Sequence, residues 1–91
     1  MTTEKAFDII NRTIEMSLRY YPNDDWQPIV SIRRQLNYIK DALEYKNDRS
    51  RLKDINIGGY AVREFENLYE DLADIIYEVC DIIRLMIKNK L

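Results

Sequence analysis

From Glu64 to Asp81 the chain carries seven carboxylates (Glu64, Glu66, Glu70, Asp71, Asp74, Glu78 and Asp81) and no lysine or arginine. Glu64, Asn67, Asp71, Asp74, Glu78 and Asp81 follow one another at steps of three and four, which aligns them along one face of a helix. Two chemistries suit such a row. Paired carboxylates such as Asp71 and Asp74 perform acid–base work where a pocket tunes their affinities for protons. A row of carboxylates on a rigid helix can instead dock a basic partner. Like charges at this spacing repel by about a few tenths of a kcal/mol per pair, so a sequence selected for stability alone would interleave lysines. Periodicity is also satisfied by a solvated face, neutralised by Arg33, Arg34 or Arg51 from neighbouring segments.

Composition narrows the chemistry further. The 91 residues include no histidine, one cysteine and two glycines, Gly58 and Gly59. Without histidine there is no Ser-His-Asp triad and no imidazole ligand for a metal. One thiol makes neither an internal disulfide nor a thiolate zinc site, a usage that fits a reducing, cytoplasmic compartment. Two adjacent glycines build no P-loop and no dinucleotide fingerprint. A net charge of −2 argues against a nucleic-acid binder that works through phosphate contacts. No apolar run reaches the length of a membrane span, and the opening MTTEKAFDII does not read as a secretory signal. No pocket is expected around the paired carboxylates in so small a chain, so no enzymatic activity is expected.

Tyrosine is the other abundant functional residue, with seven against two phenylalanines. Most are expected at the wet margin of the core, where a ring buries its body and keeps its hydroxyl in water. Tyr60 stands apart because it opens a helix beside the glycine pair, which makes it a candidate interface anchor. Cys80 reads as a small buried hydrophobe.

The elements that must position these residues are helices. Phe7, Ile10, Ile14, Leu18 and Tyr21 mark one face of a first helix, capped by Thr2 or Thr3 and stopped by Pro22. Ile29, Ile32, Leu36, Ile39 and Leu43 mark a second, capped by Asp24 or Asp25, with Pro28 in its first turn and an end near Tyr45. Asp48 is placed to cap a short helical turn over residues 49–52, with Leu52, Ile55 and Ile57 tucked against the core. A third helix starts at Gly59 or Tyr60, with Ala61, Phe65, Leu68, Leu72, Ile75, Val79, Ile82 and Met86 on one face, widened by Ile76, Ile83 and Ile87. A break near Glu66 and Asn67 is compatible with the poor helix propensity of Asn. The expected fold is all-α: one domain over residues 1–91, an antiparallel three-helix bundle with an extra helical turn between helices 2 and 3. The breadth of the third apolar stripe raises the option of a homodimer through that helix.

Several patches in fixed order resemble the small immunity proteins of bacterial type VI secretion systems. They are Tyr21-Pro22, Gln35-Leu36-Asn37-Tyr38-Ile39, Asp48-Arg49-Ser50-Arg51-Leu52, and the run from Gly58 to Glu66, followed by Leu72. The resemblance implies an all-helical, non-enzymatic, cofactor-free cytoplasmic protein that binds a toxin hydrolysing NAD(P)⁺ and occludes its active site. In the family pattern a proline-containing turn follows Glu66; residues 67–70 here hold no proline, which would let the helix run on. Under this reading the acidic row acquires a target, because a pocket that binds pyrophosphate is electropositive. The toxin-facing residues are then expected to be Glu64, Glu66, Asp71, Asp74 and Glu78, with Tyr60 as apolar anchor. An ADP-ribosyltransferase would present the same pocket chemistry. A helical dimerisation or regulatory module is the remaining alternative.

Overall fold

In the computed structural model, which describes every residue from Met1 to Leu91, three long amphipathic segments become helices and the third is cut in two. Helix α1 spans Thr3–Tyr20, α2 Gln27–Leu43, α3 Ile57–Tyr60 and α4 Glu70–Ile87. A 3₁₀ turn at Leu52–Asp54 precedes α3, and a π-helical turn at Ala61–Phe65 continues it. Helix α1 packs between α2 and α4, while α3 and the two turns close the remaining side against α4. The antiparallel all-α architecture matches the expectation, with a fourth helical segment where the third was read as one. The accessible surface of 5579 Å² equals the size-scaling value of about 5,600 Å² for a folded chain of this mass.

The core is one cluster of 21 buried residues. All five expected positions of α2 (Ile29, Ile32, Leu36, Ile39 and Leu43) are in it, as are Leu72, Ile75, Ile76, Val79, Ile82, Ile83 and Met86 of α4. The broad α4 stripe is therefore covered within one chain, down to Ile75 at 5% and Ile83 at 7% exposure, and only Ile87 at 53% lies outside. The stripe supplies no surplus that would require a homodimer.

Helix α1 departs from the expected face. Its buried residues are Ala6, Ile9, Ile10, Thr13 and Ser17, whereas Phe7, Ile14 and Tyr21 are half-buried and Leu18 is exposed. The helix is rotated so that a line of small residues faces its neighbours and permits close approach. The two hydroxyls satisfy themselves locally: Thr13 donates to the Ile9 carbonyl at 2.8 Å and Ser17 to that of Ile14 at 2.7 Å. Thr2 caps α1 as expected, accepting the Lys5 N–H at 3.1 Å.

Helix α2 begins without an aspartate cap; Trp26 holds the cap position, and Asp24 instead accepts a hydrogen bond from Arg33 at 2.6 Å. The helix ends at Leu43, short of Tyr45, because Tyr45 adopts a left-handed backbone with φ of 59°. Its N–H donates to Ala42 O at 3.1 Å and that of Lys46 to Asp41 O at 2.9 Å, a Schellman closure usually made with glycine. The Arg49 guanidinium lies 4.1 Å above the Tyr45 ring and offsets part of that strain. Asn89, at φ of 57°, closes α4 in the same way.

In the connection, Asp48 accepts the Ser50 N–H at 2.9 Å, and the helical turn forms over Leu52–Asp54, not over residues 49–52. Leu52 and Ile57 are buried and Ile55 is half-buried, so the connection is packed as expected. The third segment starts at Ile57, and residues 66–69 interrupt it without any proline. Leu68, expected on the apolar face, is 64% exposed there. This geometry separates two truncations that sequence periodicity treats alike. Ile76→Ala should cost about 2–5 kcal/mol by leaving a cavity. Leu68→Ala should stay within about 0.5 kcal/mol of the parent, both values read from urea unfolding midpoints.

Candidate functional site

The interruption at residues 66–69 is set by Phe65 and Tyr69. The Glu66 N–H reaches back five residues to Ala61 O at 2.9 Å, the hydrogen bond of a π turn. The N–H groups of Leu68 and Tyr69 then both donate to Phe65 O, at 3.0 and 2.7 Å. Tyr69 turns extended, with φ of −136°, and its ring leaves the helical path. It stacks on Tyr20 with centroids 4.1 Å apart and meets Tyr21 edge-on at 5.8 Å. Tyr21 in turn stacks on Trp26 at 5.1 Å, and both lie within about 6 Å of the buried Phe65 ring. Five aromatic rings thus join the end of α1, the start of α2, the π turn and the start of α4.

This cluster aims the acidic row. The Tyr20 hydroxyl donates to both carboxylate oxygens of Asp71, at 2.9 and 2.8 Å, and Asp71 also accepts the Leu72 N–H at 2.9 Å. Glu70 and Asp71 occupy the first turn of α4, where the helix dipole favours negative charge. Nearly two turns further on, the Tyr77 hydroxyl donates to Glu66 at 2.7 Å and ties the exposed end of the π turn to α4. The hydrogen bond to Asp71 holds the Tyr20 phenol above its ordinary proton affinity, and the bond to Glu66 does the same for Tyr77. The Tyr21 phenol is also raised, first by burial and then by Tyr69 and Glu64.

The acids sort by what they touch. Asp71 and Glu66 bond tyrosines. Asp81 is bonded to Arg84, which follows three residues later on the same helix. Glu64 is half-buried in the π turn beside Tyr21. Glu70, Asp74 and Glu78 are exposed and take part in no ion pair or side-chain hydrogen bond. Arg33, expected as a possible neutraliser, is engaged at the turn between α1 and α2, and Arg34 and Arg51 line a cleft beside α2. Arg84 is thus the only arginine that forms an ion pair with the row. The break also divides it, because Glu64 belongs to the π turn whereas Asp71, Asp74 and Glu78 share one face of α4. Tyr60 is half-buried with the Arg63 guanidinium 5.2 Å from its ring, and no hydrogen bond joins it to the acids.

No group of acidic or thiol side chains in the molecule is arranged to hold a metal ion. Cys80, expected as a buried hydrophobe, is half-buried against the core, and desolvation still pushes its thiol up and away from the reactive thiolate. The aromatic cluster was the feature least visible in sequence. Its signal is positional: Tyr20-Tyr21 precede a helix-stopping proline, Trp26 precedes α2 and Tyr69 precedes α4, so each ring stands where a helix ends or begins.

The sequence profile of the Tsi6 family matches residues 5–84. The chain belongs to the Tsi6 family. It is thus a small helical immunity protein of the type VI secretion class, acts by neutralising a toxin and is not an enzyme. Comparison with curated proteins gave no match, and comparison with solved structures gave none. No helix is long and apolar enough to cross a membrane.

The two phenol–carboxylate bonds carry a pH signature. Both form with the neutral phenol, so the folded proton affinity is raised above the unfolded value near 10. Their contribution to stability is complete below that value and is lost as pH rises through the raised folded value. In an ultraviolet titration Tyr20 and Tyr77 should ionise later than a free phenol. Tyr20→Phe and Tyr77→Phe should each remove one late-ionising phenol and make alkaline destabilisation shallower.

Proposed function

We propose that this Tsi6-family chain binds the catalytic domain of an NAD(P)⁺-hydrolysing type VI secretion effector in the cytoplasm and covers its active site. The observation that carries the reading is the outward face of α4, where Asp74 and Glu78 are exposed without internal partners and Glu70 stands free in the first turn. A pocket that holds the pyrophosphate of a dinucleotide presents cationic donors. Carboxylates at helical spacing can take the places of the phosphate oxygens. In this reading Glu64, Glu66 and Asp71 also face the toxin, and Tyr60 serves as an apolar anchor.

Rigidity favours such mimicry. α4 is held along its length by eight buried residues, so the backbone that spaces the carboxylates is ordered before binding and only side-chain freedom is lost when they dock. Their summed field also speeds encounter with a basic partner, a rate effect that falls with ionic strength.

The deciding variant is Asp74→Asn with Glu78→Gln. Neither residue bonds anything in the fold, whereas Asp71 holds Tyr20 and would confound binding with stability. Affinity for the cognate effector domain should fall at least tenfold and its salt dependence should flatten. Undiminished affinity with an unchanged salt slope would remove the α4 face from the interface. A wild-type chain that neither co-purifies with an NAD(P)⁺-hydrolysing effector nor restores growth of cells expressing it would overturn the function.

A further inference from the structure

Two arginines that the acidic face does not use lie together elsewhere. A cleft of about 310 Å³ runs between α2 and the connection that follows it. Helix α2 contributes Ser31, Arg34, Gln35 and Tyr38 to one wall, and the connection contributes Arg51 and Asp54 to the other. The walls are fixed by three hydrogen bonds. The Gln35 amide donates to Asn56 Oδ1 at 2.7 Å and accepts the Asn56 N–H at 2.9 Å, and the Tyr38 hydroxyl accepts the Arg51 N–H at 2.9 Å.

The donors left over all point to an anion. The guanidinium groups of Arg34 and Arg51 make no hydrogen bond and no ion pair within the chain. The Ser31 and Tyr38 oxygens serve only as acceptors, from Gln35 and Arg51, so each hydroxyl keeps its own proton to donate. Planar guanidinium groups in a cleft match the two oxygens of a carboxylate. Asp54, in the same wall as Arg51, favours the anion of lesser charge. It repels a phosphate dianion about twice as strongly as a carboxylate monoanion, and it can accept a bond from a cation beside that carboxylate.

We propose that this cleft seats an aspartate or glutamate side chain of the effector. This is a second contact, opposite in sign to that of the α4 face, and it rests on the effector reading above. Contacts of both signs fix the orientation of the complex, which one acidic patch cannot do. A second copy of this chain is a poorer occupant. Seating its acidic α4 in this cleft would be a head-to-tail contact, which propagates into rings or filaments instead of closing a pair.

The test uses the full chain with Arg34→Glu and Arg51→Glu, and in parallel Arg34→Ala and Arg51→Ala. Both side chains are exposed and unbonded, so circular dichroism and melting should match the parent. Affinity for the effector's catalytic domain should fall at least tenfold in the reversed pair, and an acid-to-lysine change on the effector should restore it. Undiminished binding by folded variants, with wild-type binding intact, would overturn the cleft alone. Absence of wild-type binding would overturn the function and this occupant with it. Stabilisation of the free wild-type chain by inorganic phosphate, lost in the variants, would assign the cleft to a free oxyanion. Self-association on sedimentation, lost in the variants, would assign it to a second copy; either result overturns the effector carboxylate.

Discussion

The bond network of Arg33 sets the geometry on which the rest of the molecule is built. Its side chain, only 11% exposed, reaches from α2 across the end of α1. The guanidinium donates to the carbonyls of Ser17, at 2.9 Å, and Tyr21, to the Ser17 hydroxyl at 3.3 Å, and to Asp24 at 2.6 Å. A helix leaves its last carbonyls without internal partners and a negative dipole end, and one cation answers both. Asp24 is itself 70% exposed, so its ion pair contributes only about 0–1 kcal/mol, and the bonds to the Ser17 and Tyr21 carbonyls carry the larger share. The contact also fixes where Tyr20 and Tyr21 stand. Those rings hold Tyr69, Tyr20 holds Asp71, and Asp71 opens α4. The direction of the acidic face therefore traces back to a cation on a different helix.

The break at residues 66–69 follows from the same end of the molecule. A continuous third helix would carry the Tyr69 ring round with the helical twist and away from Tyr20. The π turn inserts an additional residue per turn, and the extended Tyr69 completes the redirection. The other end of this segment is constrained by close approach. A Cβ at Gly58 would lie 3.2 Å from Cys80 Sγ, so a larger residue there would need Cys80 or the backbone to give by a few tenths of an ångström. Two glycines disfavour helix by about 1 kcal/mol each, which accounts for a segment of four residues that survives by packing and not by propensity.

Fold class was legible because burial on α2 and α4 is dominated by large aliphatic residues. Ile29 through Leu43 and Leu72 through Met86 repeat at helical spacing, and nearly all of them are in the core. Legibility failed where small or polar residues carry the packing. α1 buries Thr13 and Ser17 and exposes Leu18, an inversion that hydrophobic patterning cannot anticipate because the hydroxyls are satisfied by their own helix. It failed again at the helix ends. Tyr45 in a left-handed conformation is stabilised by Arg49 overhead, and Asp24 serves Arg33 instead of capping α2; both are tertiary facts. The acidic row was legible as charge but not as a set of different roles, since nothing in the spacing distinguishes Asp71 from Asp74.

That division of labour bears on how such a chain can change partners. Asp71 and Glu66 are tied to tyrosines of the fold, and Asp81 to Arg84. Substituting them alters structure as well as surface. Glu70, Asp74 and Glu78 bond nothing, and their mutual repulsion costs about a few tenths of a kcal/mol per pair. The core of 21 residues tolerates so small a cost. Arg34 and Arg51 stand in the same position on the other surface, unbonded at the side chain while their backbone and neighbours are fixed. Charges of both signs can therefore be exchanged without disturbing Arg33, the aromatic cluster or the helix packing. A scaffold built this way separates the residues that hold it together from those that select its partner, and specificity can drift at little cost to stability.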